Sequence, residues 1–168
     1  MLVQASEPYQ PGQSVPAQSR LKAGEDGLQL ELPDGSGLAL APGGSLKFGP
    51  GNGLDLIQGR ILVFASGKIT VRTGQAIAEG KQSVFEVEAA GGESALTVWE
   101  GQATLYDPAR KASISASLLE RCLAEAGRLN RAFRLSKREA GEFESRWAQA
   151  KAIHAQRVQL LKAWKKKT

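Results

Sequence analysis

Between Leu28 and Tyr106 apolar residues recur in pairs separated by one position. The pairs are Leu28 and Leu30, Leu38 and Leu40, Leu46 and Phe48, Leu54 and Leu56, Ile61 and Val63, then Ile69 and Val71. Ile77 follows alone, then Phe85 and Val87, Leu96 and Val98, and Ala103 with Leu105. A spacing of two is the period of a strand with one buried face, because successive side chains on a strand point to opposite sides. The stretches between the pairs read as turns: Asp34-Gly35, Pro42-Gly43-Gly44, Pro50-Gly51-Asn52-Gly53, Gln58-Gly59, Ser66-Gly67, Thr73-Gly74, Glu79-Gly80, Gly91-Gly92 and Glu100-Gly101. Glycine suits them because tight turns need positive φ. About ten short strands at roughly eight-residue intervals predict a mainly β domain over residues 27–107. It is either a β-sandwich of two antiparallel sheets or a solenoid-like stack in which each unit covers its neighbour. Burying each large apolar side chain contributes about 1.5–3 kcal/mol, enough over such a set to offset the ordering entropy without metal or disulfide.

The pattern changes after Asp107-Pro108. Residues 108–117 read as a linker, and apolar residues then fall at spacings of three and four, which predicts an amphipathic helix over 118–133 and a second over 137–165. Ser117 with Glu120, and Ser136 with Glu139, have the spacing of a capping box at each start. Phe143, Trp147, Ala150, Ile153, Val158, Leu161 and Trp164 lie along one side of the second helix. That side is expected to dock into a homo- or hetero-oligomeric assembly, with Phe143, Trp147, Ile153, Val158, Leu161 and Trp164 as its interface. At the other end, residues 1–26 combine Pro8, Pro11 and Pro16 with Gln, Ser and Gly and read as a flexible arm.

Several β segments also carry a family likeness. Leu32-Pro33-Asp34-Gly35-Ser36, Leu38-Ala39-Leu40-Ala41-Pro42 and Leu56-Ile57-Gln58-Gly59-Arg60 resemble the FecR domain family. So do Ile69-Thr70-Val71-Arg72-Thr73, Phe85-Glu86-Val87-Glu88 and Leu96-Thr97-Val98-Trp99-Glu100-Gly101-Gln102-Ala103. The resemblance covers roughly half the chain, and its order of turn glycines and alternating apolars carries more weight than any one motif. It implies an all-β domain of a bacterial, typically periplasmic, protein, whose best-known relatives relay a signal from an outer-membrane receptor to a sigma factor. Ahead of its Phe-x-Val strand the family has Gly-Thr; here Gly80-Lys81-Gln82-Ser83-Val84 predicts a rebuilt turn. The sigma-regulating relatives carry a cytoplasmic segment and a membrane-spanning helix before the domain, and these 168 residues contain no apolar run of bilayer length. As encoded, the chain is expected in the cytoplasm, or in the periplasm if a leader has been trimmed.

Charge divides at the same boundary as the pattern. Up to Ala109 there are 7 Lys and Arg against 12 Asp and Glu, a net −5; from Arg110 there are 15 against 5, a net +10. Arg121, Arg128 and Arg131 would share one face of the first helix, and Lys165, Lys166 and Lys167 close the chain. Such a tail suits an acidic protein surface or a polyanion, nucleic acid or anionic lipid, because Lys and Arg displace counterions from phosphates.

The residues that perform chemistry are sparse. His154 is the only histidine and falls within the apolar side of the second helix, so it is expected to pack rather than ligate or transfer protons. If that helix is buried in an assembly, its imidazole would make association depend on pH. Cys122 is alone, precludes an intrachain disulfide and falls on the apolar stripe of the first helix as a packing residue. The glycines form no phosphate loop. Glu86 and Glu88 alternate with Phe85 and Val87, which places them on a solvated strand face. No enzymatic constellation, cofactor site or small-molecule substrate is indicated. The reading is a non-catalytic protein-interaction or scaffold module, with a polyanion-binding adaptor or a FecR-type signalling protein as alternatives.

Overall fold

The structure, a computed structural model, describes the backbone of residues 2–5, 20–49, 53–125 and 128–167, and the side chains of 20–49, 53–125 and 128–160. The chain divides into two compact units, Met1–Arg134 and Leu135–Thr168.

The first unit is built on two long antiparallel strands, β6 (Gly53–Arg72) and β7 (Ile77–Ala90). They pair from Gly59↔Ala89 to Arg72↔Ile77. Shorter strands add to both: β1 (Leu2–Ala5), β2 (Arg20–Lys22), β3 (Leu28–Glu31), β4 (Gly37–Leu40) and β5 (Ser45–Phe48) precede them. Following them are β8 (Glu93–Glu100), β9 (Ala103–Tyr106), β10 (Ser113–Ala116), β11 (Glu120–Glu125), β12 (Arg128–Leu129) and β13 (Phe133–Arg134). All thirteen belong to one hydrogen-bonded sheet with a main path β1-β3-β4-β6-β7-β8-β11-β12; β2 and β5 join it through β6, and β9 and β10 through β7. The pairing therefore gives one continuous sheet that is not closed into a barrel, and it establishes neither the sandwich nor the solenoid-like stack that the sequence pattern leaves open.

The paired apolar positions do form its interior. Leu30, Leu46, Ile61, Val63, Ile69, Val71, Phe85, Val87, Leu96 and Val98 are fully buried in a single core. The expected number of turns is too high, however, because three of the pairs lie on β6 alone. Ser66-Gly67 lies where β6 shifts register against β7, Gln58-Gly59 lies where β6 passes from pairing with β5 to pairing with β4, and Glu79-Gly80 lies inside β7. Glycine is needed at Gly59 for two reasons: its φ is +98°, and a Cβ there would stand 2.7 Å from the Cα of Gly44.

The expected first helix is a strand. Ser117 to Glu120 is a tight turn: the Glu120 N–H donates to the Ser117 carbonyl at 3.0 Å, and the Ser117 N–H donates to Glu120 Oε1 at 2.7 Å. The side-chain reach of a capping box thus serves a turn, and Leu119 at φ 58° leaves it away from helical geometry. β11 then pairs with β8 from Arg121↔Thr97 to Glu125↔Glu93, and Cys122 and Ala124 enter the core fully buried. Local periodicity loses to the open edge of β8, whose backbone groups need partners. Two other boundaries move for a related reason. The supposed linker contains β10, paired with β9, and the supposed flexible arm contains β1 and β2, with Leu21 and Ala23 buried.

Glu86 does not lie on a solvated strand face. It is 2% exposed, within a row that runs across the sheet from Ala39 through Leu62, Glu86 and Thr97 to Arg121. The Arg121 Nε–H donates to Thr97 Oγ1 at 2.8 Å. Alternation tells which side a residue takes, not whether that side is wet, and both faces of β7 are buried here. Glu88, half-exposed, pairs with Arg60 directly opposite on β6.

The second unit is one helix, α1 (Lys137–Lys167). Its start is a true capping box: the Glu139 N–H donates to Ser136 Oγ at 3.1 Å, and the Ser136 N–H donates to Glu139 Oε1 at 3.0 Å. Phe143, Trp147 and Ala150 fall on one side and are buried, and Arg138 pairs with Glu142 one turn on at 3.1 Å.

Gly59→Ala is expected to destabilise the protein by about 1–3 kcal/mol through φ strain and the approach to Gly44. Gly74→Ala, whose Cβ would meet nothing within 4 Å, is expected to change stability by less than about 1 kcal/mol. Urea unfolding of both variants checks this; equal midpoints would remove the role given to Gly59.

Candidate interaction surface

β7 changes partners part-way along its length. From Ile77 to Gly80 it pairs with β9, and from Val84 onward with β8. On its other side β6 shifts register between Ala65 and Lys68. Lys81, Gln82 and Ser83 occupy the changeover, where Gln82 takes φ 48°. Gly80 admits the chain here, since a Cβ would stand 2.6 Å from both the Phe85 ring and Ser83 Oγ. Ser83 is 3% exposed, and its hydroxyl has no hydrogen-bond partner among the described residues.

The parting of the strands leaves an open cleft of about 760 Å³, walled by Lys68, Lys81, Gln82, Gln102, Tyr106 and Leu118 among others. Lys68 and Lys81 stand directly opposite in the β6–β7 register. Like charges in that relation repel, and Glu79 compensates one of them: its Oε1 lies 3.4 Å from Lys68 Nζ. Its Oε2 accepts from Arg110 and from Thr70 Oγ1, each at 3.3 Å. Burial works to raise the Glu79 carboxyl, and the Arg110 hydrogen bond with the Lys68 and Arg110 charges outweighs it, so the pKa falls below its ordinary 4.5. Arg110 also lies over the Tyr106 ring, 4.8 Å from its centroid. Lys81 is exposed and has no ion-pair partner among the described residues.

The far wall is the turn that replaced the expected helix start. The Leu119 N–H donates to the Val98 carbonyl at 2.7 Å, and Gln102 Nε2 donates to Ser117 Oγ at 3.2 Å. These bonds hold Leu118 at the cleft with 56% of its surface exposed. Sequence reasoning missed this site because its residues come from four separate stretches. The one available signal was Gly80-Lys81-Gln82-Ser83, already read as a rebuilt turn.

The residues singled out from sequence are dispersed. On α1, Phe143 and Trp147 are buried, and Ile153 and Val158 are half-buried; the side chains of Leu161, Trp164, Lys165, Lys166 and Lys167 lie outside the described residues. Arg121, Arg128 and Arg131 share no helical face. Arg121 is on β11 bonded to Thr97, Arg128 is exposed on β12 opposite Glu125, and Arg131 is exposed beyond β12. His154 Nδ1 accepts from Arg157 at 2.7 Å, and burial with the Arg157 charge lowers its pKa to about 4. Burial, with the charge of Glu120, pushes the Cys122 thiol up to about 12, which fits a packing residue. No helix among the described residues is long and apolar enough to cross a membrane.

No protein-family model matches the chain, and no curated protein does. Two crystal structures of a proposed anti-sigma factor from Parabacteroides distasonis share its fold. Their TM-scores are 0.62 and 0.63 at 15% and 16% identity, over 74% and 78% of this chain. The alignment spans 64% of that protein in each case, a little under two thirds of its length. At such identity the likeness is one of fold.

Because the Glu79 pKa is lowered on folding, its contribution is present above pH 4.5 and lost as pH falls through the folded value. Glu79→Gln should therefore cost at most about 1 kcal/mol at pH 7, with the difference shrinking on acidification. Thermal unfolding between pH 7 and pH 3 checks this; a difference independent of pH would contradict the ion-pair account.

Proposed function

We propose that this chain is a non-catalytic regulatory module with a FecR-type β-domain, which acts in signalling to the transcription machinery by binding a protein partner. The observation that carries the proposal is the shared fold over about three quarters of the chain with a protein described as a proposed anti-sigma factor. The surface gives separate support. The cleft where β7 changes partners is open rather than enclosed and combines two facing cations with an exposed leucine, a mixture suited to a peptide segment of a partner. The order of turn glycines and alternating apolars that resembles the FecR family occupies the strands that build this sheet. The polyanion reading has less behind it, since its arginines are spread over separate elements and one is engaged with Thr97.

On this reading, deleting the coding sequence from the organism that encodes it changes the abundance of a limited, coherent set of transcripts. Complementation with the full chain restores them. Transcript profiling of the deletion and complemented strains tests this, and an unchanged profile under all growth conditions tried would contradict it.

A further inference from the structure

We infer that the cleft at the β7 changeover is a docking site for an extended peptide segment carrying acidic side chains beside an apolar one. This rests on the interaction-module reading and names the chemistry of the partner at that site. Charge favours such a segment. Lys68 and Lys81 face each other across paired strands, an arrangement that costs energy in the free protein. Glu79 lies 3.4 Å from Lys68 and is also engaged by Arg110 and Thr70, so it does not neutralise the pair. Lys81 is exposed with no partner among the described residues, and an acidic side chain arriving between the two lysines would relieve their repulsion.

An exposed apolar side chain stands on the cleft wall. Leu118 is 56% exposed on the cleft wall, held there by a turn whose next residue has φ 58°. The hydrogen bonds at Ser117 and Leu119 fix the turn while the leucine side chain stays more than half exposed. Tyr106, on the same cleft, adds an aromatic surface.

Shape and backbone suit an extended segment as well. The cleft volume, about 760 Å³, falls in the range of roughly 300–1,000 Å³ typical of ligand sites, but its openness fits a segment that runs through rather than a small molecule enclosed on all sides. Gln82, at φ 48°, sits where β7 has left β9 and not yet joined β8. Backbone held in that region is a recurrent feature of ligand clamps. Beneath it the buried Ser83 hydroxyl lacks a partner among the described residues and lies against Gly80 of the cleft lining.

The test is fluorescence anisotropy of the full chain with three labelled ten-residue peptides: alternating Glu-Leu, alternating Lys-Leu and alternating Glu-Ser. A labelled single-stranded oligonucleotide is the fourth probe. The expected result is saturable binding of the Glu-Leu peptide, weaker binding of the other two peptides, and about tenfold loss of Glu-Leu affinity in Lys81→Glu and in Leu118→Ser. Both positions are exposed, so the variants should fold, Leu118→Ser with the wild-type unfolding midpoint and Lys81→Glu, which turns the facing like charges into opposite ones, with a midpoint no lower than wild type; that measurement accompanies the titration. Equal binding of Lys-Leu, or Glu-Leu affinity unmoved by both substitutions, would overturn the proposal. So would an oligonucleotide that binds as tightly and loses affinity in Lys81→Glu, since the cleft would then be a polyanion site. Failure here with a transcript change intact in the deletion strain would sink the cleft and leave the regulatory reading standing.

Discussion

A strand buried on both faces must satisfy its backbone N–H and C=O groups along both edges, because no water reaches them. That demand organises this chain around β6 and β7. Their mutual pairing runs from Gly59↔Ala89 to Arg72↔Ile77 and leaves one outer edge of each to be covered by shorter strands. β4 and β5 share the outer edge of β6, and β8 and β9 share that of β7. A strand that serves two neighbours in succession has to bend between them. The bends fall at Gly59 and around Gly67 on β6, and between Gly80 and Val84 on β7. The core follows from this arrangement, since inward residues from both halves of each bent strand meet in one cluster.

The same demand explains the outer strands. β8 would present an open edge with Leu96 and Val98 behind it, and β11 closes it across Arg121 to Glu125. β11 in turn is flanked by the two-residue strands β12 and β13, which leave little of its own edge open to another chain. Where the pairing of β7 is interrupted, the sheet parts, and the cleft there owes its lysine pair, its unpartnered serine hydroxyl and its exposed leucine to that interruption. The candidate site is thus a by-product of how the sheet bends, kept open by residues such as Gln82 and Leu119 in conformations that side chains rarely adopt.

Much of the fold was legible in the chain because burial in a sheet has a period of two, and each pair from Leu28 to Leu105 reports it. What the pattern lacks is any mark that separates a turn from a bend. Gly59 and Gly35 both have positive φ, yet one lies within a strand and the other between strands. Residues 118–133 misled for a different reason: Leu118, Cys122, Leu129 and Phe133 have helical spacing, but Leu118 and Phe133 are among the exposed large apolar residues. The pairing energy of a distant edge decided that segment, and nothing local encodes it. Ser136 and Glu139, whose bonding is wholly local, form the helix start that their spacing predicts. The cleft was not legible, because Lys68, Lys81, Gln102 and Leu118 meet only through register.

Residues 120–125 complete the sheet as a strand on the edge of β8. Backbone chemical shifts, amide exchange and cross-strand nuclear Overhauser contacts in solution test it most directly. Strand shifts are expected throughout β11, with slowly exchanging amides along its pairing with β8 and contacts between Cys122 and Leu96. Helical shifts over residues 118–133, with sequential amide contacts and none to β8, would contradict it.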